Sequence, residues 1–277
     1  MSSQRTHEVT TTDGVRISGS VHGQGPPLVL LHGVIGDGDL DWQALLPYLI
    51  DRFTCYLPSW RGRGLSGGHP GLSYVRLVDD AVAYVDSIGQ ATGLVGWSGG
   101  AGLALSVAAQ CDVVHALVPI EPNTPRFMSE EERAALGNAV ARMGQLATEG
   151  RLTEGARAFA DFVFDDAEIA LAEEAGYFDA ASRYVPELLD FFRQLREYPG
   201  STHEDPAVLG AISAPVLVLV GSDTKPYATA YAQHVAKHVP NARIHEISGV
   251  GHAAPLTHPE ALAQALMEFL SPQQQPT

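Results

Sequence analysis

Short apolar runs alternate with amphipathic stretches through the first 120 residues. Segments 9–12 and 15–21 flank an Asp13-Gly14 pair, the pattern of a β-hairpin. Residues 28–31 form a short, continuously apolar run, as a strand buried on both faces must; 53–57 reads as another such strand, and 94–97 and 113–120 as further strands. Between them, 74–88 carries Val75, Val78, Val82 and Val85 at helical spacing, with Asp79, Asp80 and Asp86 off the stripe. Segment 101–109 is small and apolar and suits a helix packed closely on a sheet.

The alternation stops near Asn123, and 123–205 carries helical signals only. Ser129 followed by Glu132 predicts a capping box, and further helices are expected over 153–164, 166–175 and 186–197. Alternation resumes with strands at 215–220 and 243–247 and helices at 226–239 and 259–270. Strand–helix alternation predicts an α/β fold, a mostly parallel, doubly wound sheet with helices on both faces. The expected organisation is a core from 1–122 and 208–271, an inserted helical cap over 123–207, and a Pro/Gln-rich tail, 272–277. In such sheets ligands bind at the C-terminal strand edge, so an insertion there is expected to lie over the site.

Charge narrows the partners. Seventeen basic against 32 acidic residues give a net charge of −15, which argues against nucleic acid or an anionic membrane. No apolar run is long enough to cross a membrane, and 1–10 holds no apolar stretch of a signal peptide. Cys55 and Cys111 are expected as buried free thiols, consistent with a cytoplasmic protein, either monomer or homodimer. The expected partner is a small molecule, with neither cofactor nor metal. His234 and His238 share a helix face, but no third metal ligand is evident.

The chemistry gathers at predicted strand ends. Gly96-Trp97-Ser98-Gly99-Gly100 follows a strand and precedes a small-residue helix. A serine lifted from such a turn needs small residues two before and two after it, which Gly96 and Gly100 provide. Another buried strand ends in His32-Gly33-Val34 beside that turn. The N–H groups of Val34 and Gly99 are the candidate oxyanion hole. Asp223 and His252 each follow a later strand, giving the chain order Ser, Asp, His. A neutral imidazole can take the serine proton, and a carboxylate fixes its tautomer. Glu121, just past the strand at 113–120, is the rival for that carboxylate, with Asp223 favoured. His32, Glu121, Phe127, Phe162 and Tyr177 are candidate substrate contacts, His32 being better suited to a structural role in its loop.

These motifs, in this order, resemble the α/β-hydrolase superfamily, in the group with a helical cap between the sixth and seventh core strands. The resemblance spans roughly 20–121 and 208–270 and includes Arg61-Gly62-Arg63-Gly64-Leu65-Ser66, which is similar to the family's R-G-x-G-x-S turn. Many members carry Asp two residues before that first arginine, where this chain has Ser59. Dehalogenases and epoxide hydrolases of the superfamily use aspartate at the elbow, so Ser98 argues against both. The resemblance implies a serine hydrolase acting on a carboxylic ester or lactone of a small to medium apolar substrate. C–C bond hydrolysis, perhydrolysis, acyl transfer and a non-enzymatic ligand receptor are the alternatives.

Overall fold

The computed structural model describes residues 5–68, 72–197 and 202–270; the expected tail, 272–277, lies outside them. Eight strands form one sheet in the order β1-β2-β4-β3-β5-β6-β7-β8. The hairpin is β1 (Arg5–Thr10) and β2 (Arg16–Gly23), paired antiparallel with Val9 opposite Ile17. β2 lies antiparallel to β4 (Thr54–Pro58). From β4 onward the neighbours β3 (Pro27–Leu31), β5 (Thr92–Trp97), β6 (Val114–Ile120), β7 (Val216–Gly221) and β8 (Ala242–Ile247) run parallel. β3, β5 and β7 are buried at every position, which is why they read as unbroken apolar runs. The edge strands β1 and β8 alternate or expose polar residues, which discourages further pairing.

Two short helices, α1 (Gly38–Trp42) and α2 (Leu46–Leu49), connect β3 to β4. They span only five and four residues, too few for a period to show in the sequence. α3 (Tyr74–Ser87) starts at Ser73, whose hydroxyl accepts the Arg76 N–H, and α4 (Gly99–Ala108) follows β5 directly. The segment between β6 and β7 folds into α5 (Glu130–Thr148), α6 (Leu152–Val163), α7 (Asp166–Glu174), α8 (Tyr177–Ala181), α9 (Val185–Glu197) and α10 (Pro206–Gly210). The expected capping box at Ser129 and Glu132 forms, and a second, between Asp165 and Glu168, opens α7. After β7 come α11 (Pro226–His238), then β8, α12 (Ala254–Thr257) and α13 (Pro259–Leu270).

One apolar cluster runs from the sheet into the inserted helices, joining Leu30, Val95 and Val118 to Phe159, Phe164, Tyr177 and Phe191. Each fully buried large side chain contributes about 1.5–3 kcal/mol, so insertion and sheet stabilise one another. Cys55 and Cys111 are buried free thiols. No described helix is long and apolar enough to cross a membrane.

The Arg61–Ser66 turn shows what replaces the absent aspartate. The Ser59 hydroxyl accepts the Gly38 N–H at 3.1 Å. Arg61 is buried and forks onto Asp80 at 2.6 and 2.7 Å, with Asp13 at 2.9 Å beyond it. Arg63 is also buried, and its Nη1 donates to the carbonyls of Val34 at 2.7 Å and Gly36 at 2.8 Å. This turn therefore braces the loop after β3.

Candidate active site

β5 delivers Ser98 to the C-terminal edge of the sheet, and α4 leaves at once from Gly99. The turn is so tight that a Cβ on Gly96 would strike the Gly100 carbonyl, and one on Gly100 the carbonyls of Leu31 and His32. Ser98 sits at φ 55°, a conformation that costs an L-residue on the order of 1–3 kcal/mol and is held by surrounding structure. Its N–H donates to Ile120 O at 2.9 Å, which ties the turn to the end of β6.

The loop after β8 brings His252 to the serine, with Nε2 3.0 Å from Ser98 Oγ. The Trp97 indole N–H donates to the His252 carbonyl at 2.8 Å, and the Trp97 and Phe164 rings lie 6.0 and 6.1 Å from the imidazole. A third hold comes from the insertion. The Ala253 N–H donates to Glu168 Oε1 at 2.6 Å, and burial raises the pKa of this α7 carboxyl.

The acid beside the imidazole is Glu121, not Asp223. Glu121 Oε2 lies 3.3 Å from His252 Nδ1, accepts the Thr224 hydroxyl, and leaves Oε1 for the Gly221 N–H at 2.6 Å. Glu121 is 1% exposed. Asp223 is exposed at the surface, where its carboxylate accepts the Ser222 hydroxyl at 2.9 Å. The backbone explains the exchange. Glu121 is at φ 49°, and it and Ser98 are the non-glycine residues with positive φ among those described. The carboxylate of Glu121 accepts the Gly221 N–H at the end of β7, and the Asp223 N–H is committed to Val250 O at 3.0 Å. Because a carboxylate accepts, Nδ1 carries the proton and Nε2 is free to accept from the serine hydroxyl.

Val34 and Gly99 line the same cavity as Ser98. The Val34 loop is pinned from several sides. The Gly33 N–H donates to Asp41 Oδ2 at 2.8 Å, and Asp41 Oδ1 accepts the hydroxyl of Tyr177 from α8 at 2.9 Å. Burial pushes the Asp41 carboxyl up to about 7. His32 is not a substrate contact: it is fully buried, with Nδ1 donating to Gly33 O at 2.7 Å and Nε2 accepting the Trp60 N–H at 3.0 Å. Burial, then the Arg63 charge, brings its pKa down to about 3, so it stays neutral.

The cavity measures about 300 Å³ and lies between the strand edge and the inserted helices. Phe162 and Tyr177 line it as expected, with Phe159, Phe164, Phe191 and Phe192. Phe127 does not; its ring packs on Tyr231 at 5.1 Å and His234 at 4.9 Å. Glu121 lies behind His252 rather than in the wall. Among the described residues no group of His, Cys, Asp and Glu is arranged to hold a metal. Sequence patterns passed over Asn123, whose Nδ2 donates to Ser98 Oγ at 3.2 Å, and Glu168. Glu168 stood as the third residue past a cap signal at Asp165, but no local signal marks Asn123.

The chain matches the alpha/beta hydrolase family over residues 28–265. Polyketide synthase ThaQ of Burkholderia thailandensis is 27% identical over 272 residues, covering 90% of this chain but 12% of ThaQ. The chain spans 41% and 36% of two other curated relatives. Esterase YbfF of Escherichia coli is 24% identical over 250 residues, covering 88% of this chain and 93% of YbfF. A solved thermophilic esterase from Thermogutta terrifontis aligns with a TM-score of 0.75 and 25% identity, over 96% of this chain and 98% of that one. With the family match running from β3 into α13, over the same strands that carry Ser98 and Glu121, this chain belongs to the alpha/beta hydrolase family.

Proposed function

We propose that this protein is a serine hydrolase that cleaves a carboxylic ester or lactone of a small to medium, largely apolar substrate. One observation carries the reading: an unbroken hydrogen-bond chain from Glu121 through His252 to Ser98 Oγ, opening into an aromatic-walled cavity. In this mechanism Ser98 Oγ attacks the substrate carbonyl as its proton passes to His252 Nε2, and Glu121 supports the imidazolium. The N–H groups of Val34 and Gly99 receive the carbonyl oxygen as it becomes negative. His252 returns the proton to the departing alcohol, leaving an acyl-enzyme. It then takes a proton from a water whose oxygen attacks the acyl carbonyl, and it gives that proton to Ser98 Oγ as the Oγ–C bond breaks and the acid leaves. Triad and oxyanion donors come from this chain alone, and the inserted helices serve as a cap that excludes water and selects apolar groups. The names of YbfF and the Thermogutta terrifontis protein as esterases favour ester substrates.

Steady-state hydrolysis of p-nitrophenyl acetate, butyrate and octanoate by wild type and Ser98→Ala tests this. Sustained turnover that disappears in the variant is expected. Activity retained by Ser98→Ala would overturn the assignment of the nucleophile, and a single burst equal to the enzyme concentration would leave the triad in place but overturn sustained ester hydrolysis as the function.

A further inference from the structure

The nucleophile has a second partner. Asn123 Nδ2 stands 3.2 Å from Ser98 Oγ and 3.4 Å from the Glu121 carbonyl. The carbonyl fixes the orientation of the amide. A carbonyl oxygen only accepts, so the Asn123 atom facing it is the NH₂ group. The same NH₂ therefore donates to Ser98 Oγ. Asn123 is half-buried and lines the cavity, close enough to meet whatever reacts with the serine.

We propose that Asn123 is a fourth catalytic group, acting on the serine oxygen in both halves of the reaction; this rests on the serine-hydrolase assignment above. Two consequences follow from the geometry. In the free enzyme, an Oγ lone pair is engaged by Nδ2–H, which directs the Oγ–H toward His252 Nε2. Asn123 so removes wrong rotamers of the hydroxyl before substrate arrives. As Oγ attacks, its O–H bond breaks toward Nε2 and its O–C bond forms. Negative charge on Oγ during that transfer meets a donor already in place. In deacylation the O–C bond breaks, the electron pair returns to Oγ, and His252 gives back the proton. Nδ2–H again faces the oxygen that gains charge. The oxyanion donors act on the substrate's carbonyl oxygen, so the two contributions are separate.

The placement is built into the chain. Glu121, Pro122 and Asn123 leave β6 together, the first supporting the base and the third touching the nucleophile. Pro122 is buried and restricts the backbone between them.

The test uses paraoxon, which phosphorylates an activated serine without regard to the natural substrate, with labelling of Ser98 read by intact and peptide mass. Wild type, Asn123→Ala, Asn123→Leu and Ser98→Ala are compared for inactivation rate, for kcat and KM on p-nitrophenyl butyrate, and for melting temperature. Loss of one hydrogen bond to a developing charge predicts a fall of roughly tenfold to a hundredfold in both inactivation rate and kcat. KM and melting temperature are expected to stay near wild type. Inactivation and kcat within twofold of wild type in both Asn123 variants would overturn the proposal. A rise in KM alone would also overturn it, making Asn123 a substrate contact. Failure of wild type to be labelled at Ser98 would instead remove the serine-hydrolase assignment itself.

Discussion

Replacing Glu121 by glutamine tests the acid assignment directly. Both Glu121 and His252 are almost fully buried, at 1% and 4% exposure, so little solvent screens them from each other. In the proposed mechanism the imidazole becomes an imidazolium 3.3 Å from the carboxylate. With an effective dielectric of about 20, a charge pair at that separation is worth roughly 4–5 kcal/mol. The amide lacks the charge, and its NH₂ facing Nδ1 would favour the tautomer with the proton on Nε2, where it cannot receive the serine proton. At about 1.4 kcal/mol per decade, kcat for Glu121→Gln is expected to fall by about 10³- to 10⁴-fold. Asp223→Asn, at an exposed site bonded to Ser222, is expected to stay within about threefold of wild type. Steady-state kcat on p-nitrophenyl acetate reads both. Glu121→Gln within tenfold of wild type, or Asp223→Asn falling as far as Glu121→Gln, would refute the reasoning.

Arg61→Ala strands the buried Asp80 carboxylate, for which loss of a partner costs about 3–5 kcal/mol. The thermal midpoint is expected to drop by roughly 10 °C, and a change under 3 °C would contradict a structural role for the pair. Asp41 has its pKa raised to about 7 in the folded protein, by burial first, above an ordinary value of 3.8. The folded state therefore holds more protons than the unfolded one between those values, and this group's contribution to stability is lost as pH rises from about 4 through 7. Asp41→Asn removes that dependence, so melting curves across this range should show the variant gaining on wild type as pH increases; a constant difference would contradict it.

The sheet was legible because its parallel strands are buried on both faces, which forces unbroken apolar runs at 28–31, 94–97 and 215–220. Ser98 was legible because a strand-to-helix turn this tight admits only glycine two residues either side. The acid was not, for a local reason. Glu121 and Asp223 lie one and two residues past adjacent strands, and both satisfy the pattern of a carboxylate at the catalytic edge. What separates them is the left-handed backbone at Glu121, a single torsion that leaves no trace in hydrophobic periodicity. Phe127 and Phe162 were equivalent by composition too. Phe127 ends a 3₁₀ turn and packs on α11, whereas Phe162 in α6 lines the cavity. His32 follows a strand much as His252 does, but both of its nitrogens are spent on backbone groups, one on Gly33 in its own loop and the other on Trp60 just past β4.

The position of Glu121 and Asn123 at the mouth of the insertion bears on how this scaffold can be recombined. A chimera that exchanges everything between β6 and β7 would discard the carboxylate beside His252 and the amide beside Ser98 along with the pocket wall. The usable crossover lies after Asn123. Even there, the donor sequence needs a carboxylate at the position of Glu168, because the loop carrying His252 leans on it from the insertion side. At the other crossover, the segment after β7 is freer. Asp223 is open to substitution, while Gly221 must be kept because a Cβ there would strike the Val250 carbonyl, and Thr224 for the hydroxyl it donates to Glu121. Selectivity and reactivity are thus joined at one end of the insertion and separable at the other.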